Sequence, residues 1–168
     1  MHFVLVSACL LGSPVRYDGA HRRSGSKVLQ RWLNEGRVVP VCPELAGGLP
    51  VPRPPAEVLA GAGGAKVLAG LAKVVDPSAN DISAAFVTGA HHALQLAQSR
   101  RIRVAVLQEG SPSCGSGYIY DGTFTGTKVP ERGVTSALLE RTGVRVFSEE
   151  QFVEAHEFLL ELEARDAA

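Results

Sequence analysis

The sequence has no excess of charge of either sign and no long apolar run. Lysine plus arginine and aspartate plus glutamate number 17 each, so net charge gives no indication of a nucleic-acid or membrane partner. No apolar stretch approaches the roughly 20 residues that a membrane-spanning helix needs. The first apolar run, 3–11, is short and lacks the basic start of a signal peptide. We therefore expect a cytoplasmic protein whose thiols stay reduced.

Cysteine is scarce, and the paired spacing of many zinc sites is missing. The chain has three cysteines, Cys9, Cys42 and Cys114, so a full set of internal disulfides is impossible. Zinc usually brings a fourth ligand or a C-x-x-C pair, whereas an iron–sulfur cluster tolerates wide spacing and can leave one iron free. For each cysteine taken alone, a small buried hydrophobic residue is the plainer interpretation.

Each cysteine follows a short apolar run, as expected for a side chain at the end of a buried strand. The runs 3–8 and 38–41 lead directly to Cys9 and Cys42, and the run 104–107 leads through a polar stretch to Cys114. If these runs are neighbouring strands of one parallel sheet, the three thiols meet at its carboxyl edge, where open α/β folds bind ligands. Three thiolates without a fourth then indicate a metal or cluster site with an open coordination position.

The pattern of apolar residues and turn formers predicts an α/β fold. Aromatic residues make up 6%, while 18 glycines and 10 prolines cluster in the predicted loops 12–25, 40–55, 61–70 and 110–133. Apolar patterns predict strands at 3–8, 38–41, 102–107 and 145–147, and helices at 27–35, 81–99, 134–141 and about 149–164. We expect one domain, 1–168, with a mainly parallel, Rossmann-like sheet flanked by helices and long ordered loops that carry the site.

Several local features are predicted within this outline. Ser26 is a candidate N-cap, and Ser148 with Gln151 resembles a capping box for the last helix. The proline-rich segment 42–55 is expected to contain no regular helix or central strand. Short strands are predicted at 66–68 and 73–75. Asp121-Gly122 predicts a primed two-residue turn between strands at 118–120 and 123–125.

Polar residues beside the cysteines are the candidate catalytic and binding groups. Glu44, two residues after Cys42, could act as a general acid/base, although a loop carboxylate is more often simply solvated. Ser111 and Ser113 flank Cys114 and could donate hydrogen bonds, with ordinary turn chemistry as the alternative. The basic loop around Arg16 could bind an anionic or polar substrate or be a solvated surface. The glycines near position 63 do not form a dinucleotide fingerprint, and the motifs of zinc deaminases are absent.

Four segments resemble a bacterial family of small proteins that includes thiouracil desulfidase. The segments are VSACLLGSPVRYDG (6–19), PVCPELAGGLPVPRPPAE (40–57), SPSCGSGYIYDGTFTG (111–126) and RGVTSALL (132–139). The resemblance extends from the first strand to about Phe147. Two positions depart from the family pattern: Glu131 stands where a glycine is expected, and Gln108 where a lysine is common. Both departures could alter the choice of substrate.

The resemblance implies a non-redox desulfidase with a [4Fe-4S] cluster. Carried over by motif, Cys9, Cys42 and Cys114 would bind the cluster, and a free iron would polarise the sulfur of a thiocarbonyl. Glu44 would be the catalytic acid/base, assisted by a serine for which Ser113 is the candidate. The implied substrate is a thiolated pyrimidine such as 2-thiouracil, held by loop residues that include Arg16, Asp18, Arg53 and Ser111.

Two alternatives stay open at this point. A zinc-dependent hydrolase could use the same three cysteines, and a non-enzymatic module could bind a small ligand or a partner in its loops. The oligomeric state and the native thiolated compound are not predicted by the sequence.

Overall fold

The computed structural model describes residues 1–168, which alternate between strands and helices. In chain order, the elements are β1 (Val4–Ser7), α1 (Lys27–Asn34), β2 (Val38–Val41), α2 (Pro43–Ala46), β3 (Glu57–Val58), α3 (Gly64–Leu68), β4 (Val74–Val75), α4 (Ser83–Ser99), β5 (Val104–Leu107), β6 (Ile119–Tyr120), β7 (Lys128–Val129), α5 (Val134–Arg141), β8 (Arg145–Ser148) and α6 (Phe152–Ala167). Two 3₁₀ turns, Ala8–Leu11 and Leu59–Gly61, complete the list.

Four strands form a parallel sheet in the order β2-β1-β5-β8. In the register of this sheet, Val4 lies opposite Val38 on one side and Val104 on the other. The predicted parallel α/β fold is therefore confirmed. Because β2, β1 and β5 are adjacent and parallel, their carboxyl ends open at the same edge of the sheet.

Helices cover both faces of the sheet, which explains why its central strands β1 and β5 are buried along their whole length and almost entirely apolar. Side chains alternate between the two faces. Val6 and Val106 face a cluster with Trp32 of α1 and Leu159 of α6. Leu5 and the neighbouring strand residues on the opposite face pack against α4 and α5. No helix in the structure combines the length and apolar character needed to cross a membrane.

Two of the predictions for the glycine- and proline-rich segments are wrong. The segment 42–55 contains the short helix α2, in which Pro43 occupies the first turn, where its missing N–H costs nothing. The strand predicted at 66–68 is helix α3, because Gly64 lets this segment lie against the backbone of Gly133. A Cβ on Gly64 would be 2.4 Å from the Gly133 carbonyl carbon. The neighbouring strand prediction at 73–75 is confirmed by β4.

The predicted hairpin exists with a different turn. Strand β6 pairs with β7 through Ile119–Val129 and Tyr120–Lys128, so the connection spans 121–127 rather than two residues. The side chain of Asp121 accepts a hydrogen bond from the Thr123 N–H (2.9 Å) and thereby starts a longer loop instead of a primed turn.

The predicted N-cap of α1 is confirmed, and the predicted capping box of the last helix is wrong. The Ser26 hydroxyl accepts the Leu29 N–H at the start of α1. Helix α6 begins at Phe152 with Gln151 as its N-cap, so Ser148 lies before the helix. There Gln151 accepts the N–H of Ser148, and Ser148 Oγ accepts the N–H of Glu150, which forms a turn that precedes the helix.

Candidate active site

A cavity of about 650 Å³ opens at the carboxyl edge of the parallel sheet, and all three cysteines line it. Cys9 follows β1 in a 3₁₀ turn, and Cys42 directly follows β2 as the N-cap of α2. Cys114 follows β5 in a tight turn that the bond from the Gly115 N–H to the Ser111 carbonyl closes at 2.9 Å. Three segments far apart in sequence thus bring their thiols to one place, because the sheet aligns the strands that precede them.

The three thiols are free, and burial and neighbouring charges shift their pKa values. Cys9 and Cys114 are buried, and Cys42 is half-buried. Burial, followed by the neighbouring Cys42, raises the pKa of Cys9 to about 11. Burial also raises the pKa of Cys114, and Glu44 and the other two thiols raise it further. Burial raises the pKa of Cys42, while the Arg53 charge opposes that shift. All three shifts favour the protonated form of the thiols.

The three thiols line the cavity without forming a binding site for a single metal ion. No group of three His, Cys, Asp or Glu side chains lies close enough to bind one metal ion. A tetrahedral zinc site needs its ligands around a single point. In an iron–sulfur cluster each thiolate binds a different iron, so thiols that surround a cavity without converging on one point fit that group.

Glu44 lies in α2 beside the cysteines and faces a buried arginine. Its Oε1 lies 3.5 Å from Nε of Arg53, whose side chain is 4% exposed. Burial raises the pKa of Glu44, and the positive charge of Arg53 offsets only part of this effect. The result is a carboxyl group at the cavity wall that holds its proton to a higher pH than an ordinary glutamate does.

The guanidinium of Arg53 forms hydrogen bonds mainly with the protein's own backbone. Its Nη1 donates to the Pro50 carbonyl (3.0 Å) and its Nη2 to the Val15 carbonyl (3.1 Å). Its Nε has no hydrogen-bond partner, although it points towards Glu44. Arg53 thus ties the 15–17 loop to the proline-rich loop and presents its charge to Glu44, with little of its guanidinium left for a substrate.

The structure brings Arg16 to the cavity and leaves Asp18 outside it. Arg16 lines the cavity and lies 3.9 Å from the Asp18 carboxylate. Asp18 is exposed, accepts the Ala20 N–H at 2.9 Å and does not belong to the cavity wall. The backbone bond from Ala20, the largest effect, and the Arg16 charge lower the pKa of Asp18.

The two candidate serines occupy different environments. Ser111 lines the cavity, and its Oγ accepts the N–H groups of Ser113 (3.1 Å) and Cys114 (3.2 Å), which leaves its hydroxyl proton free to be donated. Ser113 is fully buried, bonds Thr135 through its hydroxyl at 2.8 Å and is not part of the cavity wall. Of the two, only Ser111 lines the cavity.

Several cavity residues were not singled out from the sequence. They are Glu57, Glu109, Tyr118, Tyr120 and Phe124, whereas Tyr17 and Arg22 belong to the basic loop around Arg16. Gln108 also lies in the wall, and its Oε1 lies 3.8 Å from Cys9 Sγ. Most of these residues lie in loops without a recognisable pattern, and only the two tyrosines in the segment 118–120 could have pointed to this part of the chain.

The fold and the cavity define an α/β protein with three adjacent parallel strands, a cysteine after each, and a half-buried carboxyl group among the cysteines. The chain belongs to the 2-thiouracil desulfurase family, whose model matches residues 4–151. This finding confirms the resemblance noted in the sequence.

Two proteins match the chain over most of their length. An uncharacterized protein of Bacillus subtilis (strain 168), YbbK, is 44% identical over 148 residues, which cover 88% of this chain and 96% of the relative. A solved structure described as the [4Fe-4S]-dependent thiouracil desulfidase TudS is 48% identical, covers 95% of this chain and 98% of its own, and superimposes with a TM-score of 0.86.

Proposed function

We propose that the protein is a [4Fe-4S]-dependent desulfidase that removes sulfur from a thiolated pyrimidine such as 2-thiouracil and releases it as sulfide. The observation that carries the proposal is the meeting of Cys9, Cys42 and Cys114, each from a different strand end, in one cavity with Glu44. Membership of the family and the likeness to a structure described as a [4Fe-4S]-dependent thiouracil desulfidase support it.

The donor set suits the cluster. Cys9, Cys42 and Cys114 would hold three of its irons, and the cavity wall offers no fourth cysteine. The side chains of Arg16, Arg22 and Arg53 also line the cavity and supply positive charge near the three thiolates. When bound, the cluster would supply an iron without a protein ligand, a soft Lewis acid matched to the sulfur of a thiocarbonyl.

The reaction that we propose is hydrolytic and balances without an oxidant or a reductant. A C=S group and one water become a C=O group and hydrogen sulfide, so the oxygen of water takes the position of the sulfur. Glu44 accepts a proton from the attacking water at its carboxylate and donates a proton to the departing sulfur. Arg53 positions the carboxyl group and keeps its ionised form accessible.

The substrate is held by the cavity wall. Ser111 can donate its free hydroxyl proton to a ring oxygen or nitrogen of the pyrimidine, and Arg16 can bind a polar or anionic group at the mouth. Asp18 acts on the substrate only through Arg16, since it lies outside the wall.

Cluster loading followed by product analysis tests the proposal. The protein is purified and reconstituted without oxygen, and iron, labile sulfide and zinc are measured per chain. With 2-thiouracil as substrate, we expect about four irons per chain, and uracil and hydrogen sulfide in equal amounts. Colourless protein with stoichiometric zinc that hydrolyses a substrate would favour the zinc hydrolase, and cluster-loaded protein that binds thiouracil without releasing sulfide would favour the binding module.

A further inference from the structure

Aromatic residues are scarce in this chain, yet they are concentrated at the cavity. All three tyrosines line it, together with Phe124. The tyrosine rings already have partners. Tyr118 and Tyr120 pack edge to face with centroids 6.0 Å apart, Lys128 lies over the Tyr118 ring, and Arg16 lies over the Tyr17 ring. Phe124 is the one ring of the cavity wall without an aromatic or cationic partner.

The backbone of Phe124 has a conformation that is unfavourable for a residue with a bulky side chain. Its φ angle is +56°, in the left-handed region that bulky residues rarely adopt. Glu57, which also lines the cavity, accepts the N–H groups on both sides of Thr123: that of Gly122 at 2.9 Å and that of Phe124 at 3.2 Å, both on Oε1. The carboxylate therefore fixes the backbone at the point where the ring leaves the chain.

The rest of the 121–127 loop leaves Phe124 little freedom. Hydroxyl groups of Thr123, Thr125 and Thr127 form a chain with spacings of 2.6 and 2.9 Å. Gly122 lies so close to β3 that an added Cβ would be 2.6 Å from the Val58 carbonyl oxygen. The loop is docked on β3, and the strained residue is the one whose ring lines the cavity. Strain that the surroundings maintain at such a position points to a role in ligand binding.

We propose that Phe124 is the face against which a planar heteroaromatic ring stacks, and that Glu57 is the residue that positions it. The inference rests on the proposed function and names its substrate class as cyclic aromatic thiocarbonyl compounds in preference to acyclic thioamides and thioureas. Stacking needs only a flat π face. It therefore favours planar aromatic rings over acyclic compounds and does not depend on particular ring substituents.

Binding of uracil to the cluster-loaded protein tests the stacking face without any turnover. Uracil has the planar ring and no sulfur, and its dissociation constant can be measured by calorimetry. We expect Phe124→Leu to weaken binding about tenfold and Phe124→Tyr to retain it. Phe158→Leu, at a half-buried ring on α6 away from the cavity, is the matched control and should bind like the wild type. Equal uracil affinity in Phe124→Leu and wild type, or no uracil binding by the wild type, would overturn the inference.

Substrate selectivity tests the positioning role of Glu57. Relative to wild type, Phe124→Leu and Glu57→Ala should raise KM for 2-thiouracil about tenfold and raise KM for thiourea much less, because thiourea has no ring to stack. Glu57→Gln keeps an acceptor oxygen and should restore the wild-type KM. An equal loss with both substrates in Phe124→Leu and Glu57→Ala would contradict the assignment. Wild-type protein that binds uracil through Phe124 but releases no sulfide would refute the proposed function and support the stacking face.

Discussion

At the scale of single residues, the proposed reaction depends on the carboxyl group of Glu44, whose burial opposes its charge. The positive charge of Arg53 lowers the pKa of Glu44, but burial has the larger effect, so the pKa of Glu44 remains raised. A carboxyl group in this condition exchanges a proton nearer to neutral pH than a solvated one, as general acid/base catalysis requires.

Replacing Glu44 by Gln removes the proton transfer while keeping the shape of the side chain. We expect kcat for sulfide release to fall by about 10²- to 10⁴-fold, with iron content and the visible absorption of the loaded protein unchanged. Glu154→Gln, at an exposed position in the first turn of α6, serves as the matched control and should keep full activity. A Glu44→Gln protein with wild-type kcat would remove this residue from the mechanism.

The two serines beside Cys114 should differ when each is replaced by alanine. Ser111→Ala removes the hydroxyl at the cavity wall and should lower kcat/KM per bound cluster about tenfold. Ser113→Ala leaves the buried Thr135 hydroxyl without its partner, so we expect a loss of about 1–2 kcal/mol in stability and little change in kcat/KM. Thermal unfolding and steady-state kinetics on both variants measure the difference. The reverse pattern would assign the catalytic serine to Ser113.

At the scale of elements, the site depends on how closely α2 approaches α4. A Cβ on Gly47 would lie 2.0 Å from the Ala85 carbonyl oxygen, and one on Gly89 would lie 2.0 Å from the Pro43 carbonyl oxygen. Two glycines on facing elements thus allow backbone contact where any side chain would separate them. Since α2 begins after Cys42 and carries Glu44, this contact determines where both groups lie.

Gly89→Ala tests this contact. The methyl group meets backbone atoms that cannot rotate away, so we expect a loss of about 2–3 kcal/mol in the free energy of unfolding and a reduced kcat per cluster. Gly25→Ala is the matched control, because nothing lies within 4 Å of its added Cβ and its φ angle is not positive. Its stability should stay within about 0.5 kcal/mol of wild type in chemical denaturation. Equal stability of the two variants would show that α2 and α4 tolerate separation.

At the scale of the whole molecule, one buried guanidinium joins the N-terminus, the turn before β2 and the last helix. Arg37 donates to the His2 carbonyl (3.0 Å), to Glu163 (2.8 Å) and to Glu35 (2.7 Å). Partial burial, the largest single effect, would raise the pKa of Glu163, but the hydrogen bonds from Arg37 and the His2 N–H together with the nearby positive charges outweigh it, so the pKa is lowered. The same guanidinium lowers the pKa of Glu35.

This network should make part of the stability depend on pH. A lowered folded-state pKa contributes stability that is complete above the usual carboxyl pKa of about 4.3 and is lost as pH falls through the folded value. We expect Arg37→Met to be about 1–2 kcal/mol less stable than wild type at pH 7, since water screens the carboxylates, and the difference to shrink below pH 4. Arg165→Met, at an exposed arginine 4.0 Å from Glu161, should change little. Denaturant unfolding from pH 3 to 7 measures the difference, and a gap that is constant with pH would contradict this account.

Much of the architecture was predictable because local pattern and tertiary structure agree there. The buried strands and the long helices have continuous apolar or helix-periodic patterns, and those patterns predicted the parallel sheet and the cysteines at its edge. Predictions failed where packing outweighed local preference. Gly64 and Gly89 look like ordinary flexible residues in the sequence, and only their contacts with distant backbone explain helices α2 and α3.

The amino-acid sequence by itself determined the fold class, the three thiols after their strands and the candidate acid Glu44, because strand ends in a parallel sheet share one edge. Only the tertiary structure decided that Ser111 rather than Ser113 reaches the cavity, that Asp18 stays outside and that Phe124 enters it. A side chain's direction within a loop depends on hydrogen bonds to partners far away in sequence, such as Thr135 for Ser113 and Glu57 for Phe124. No local pattern records such partners, since they meet only when the chain has folded.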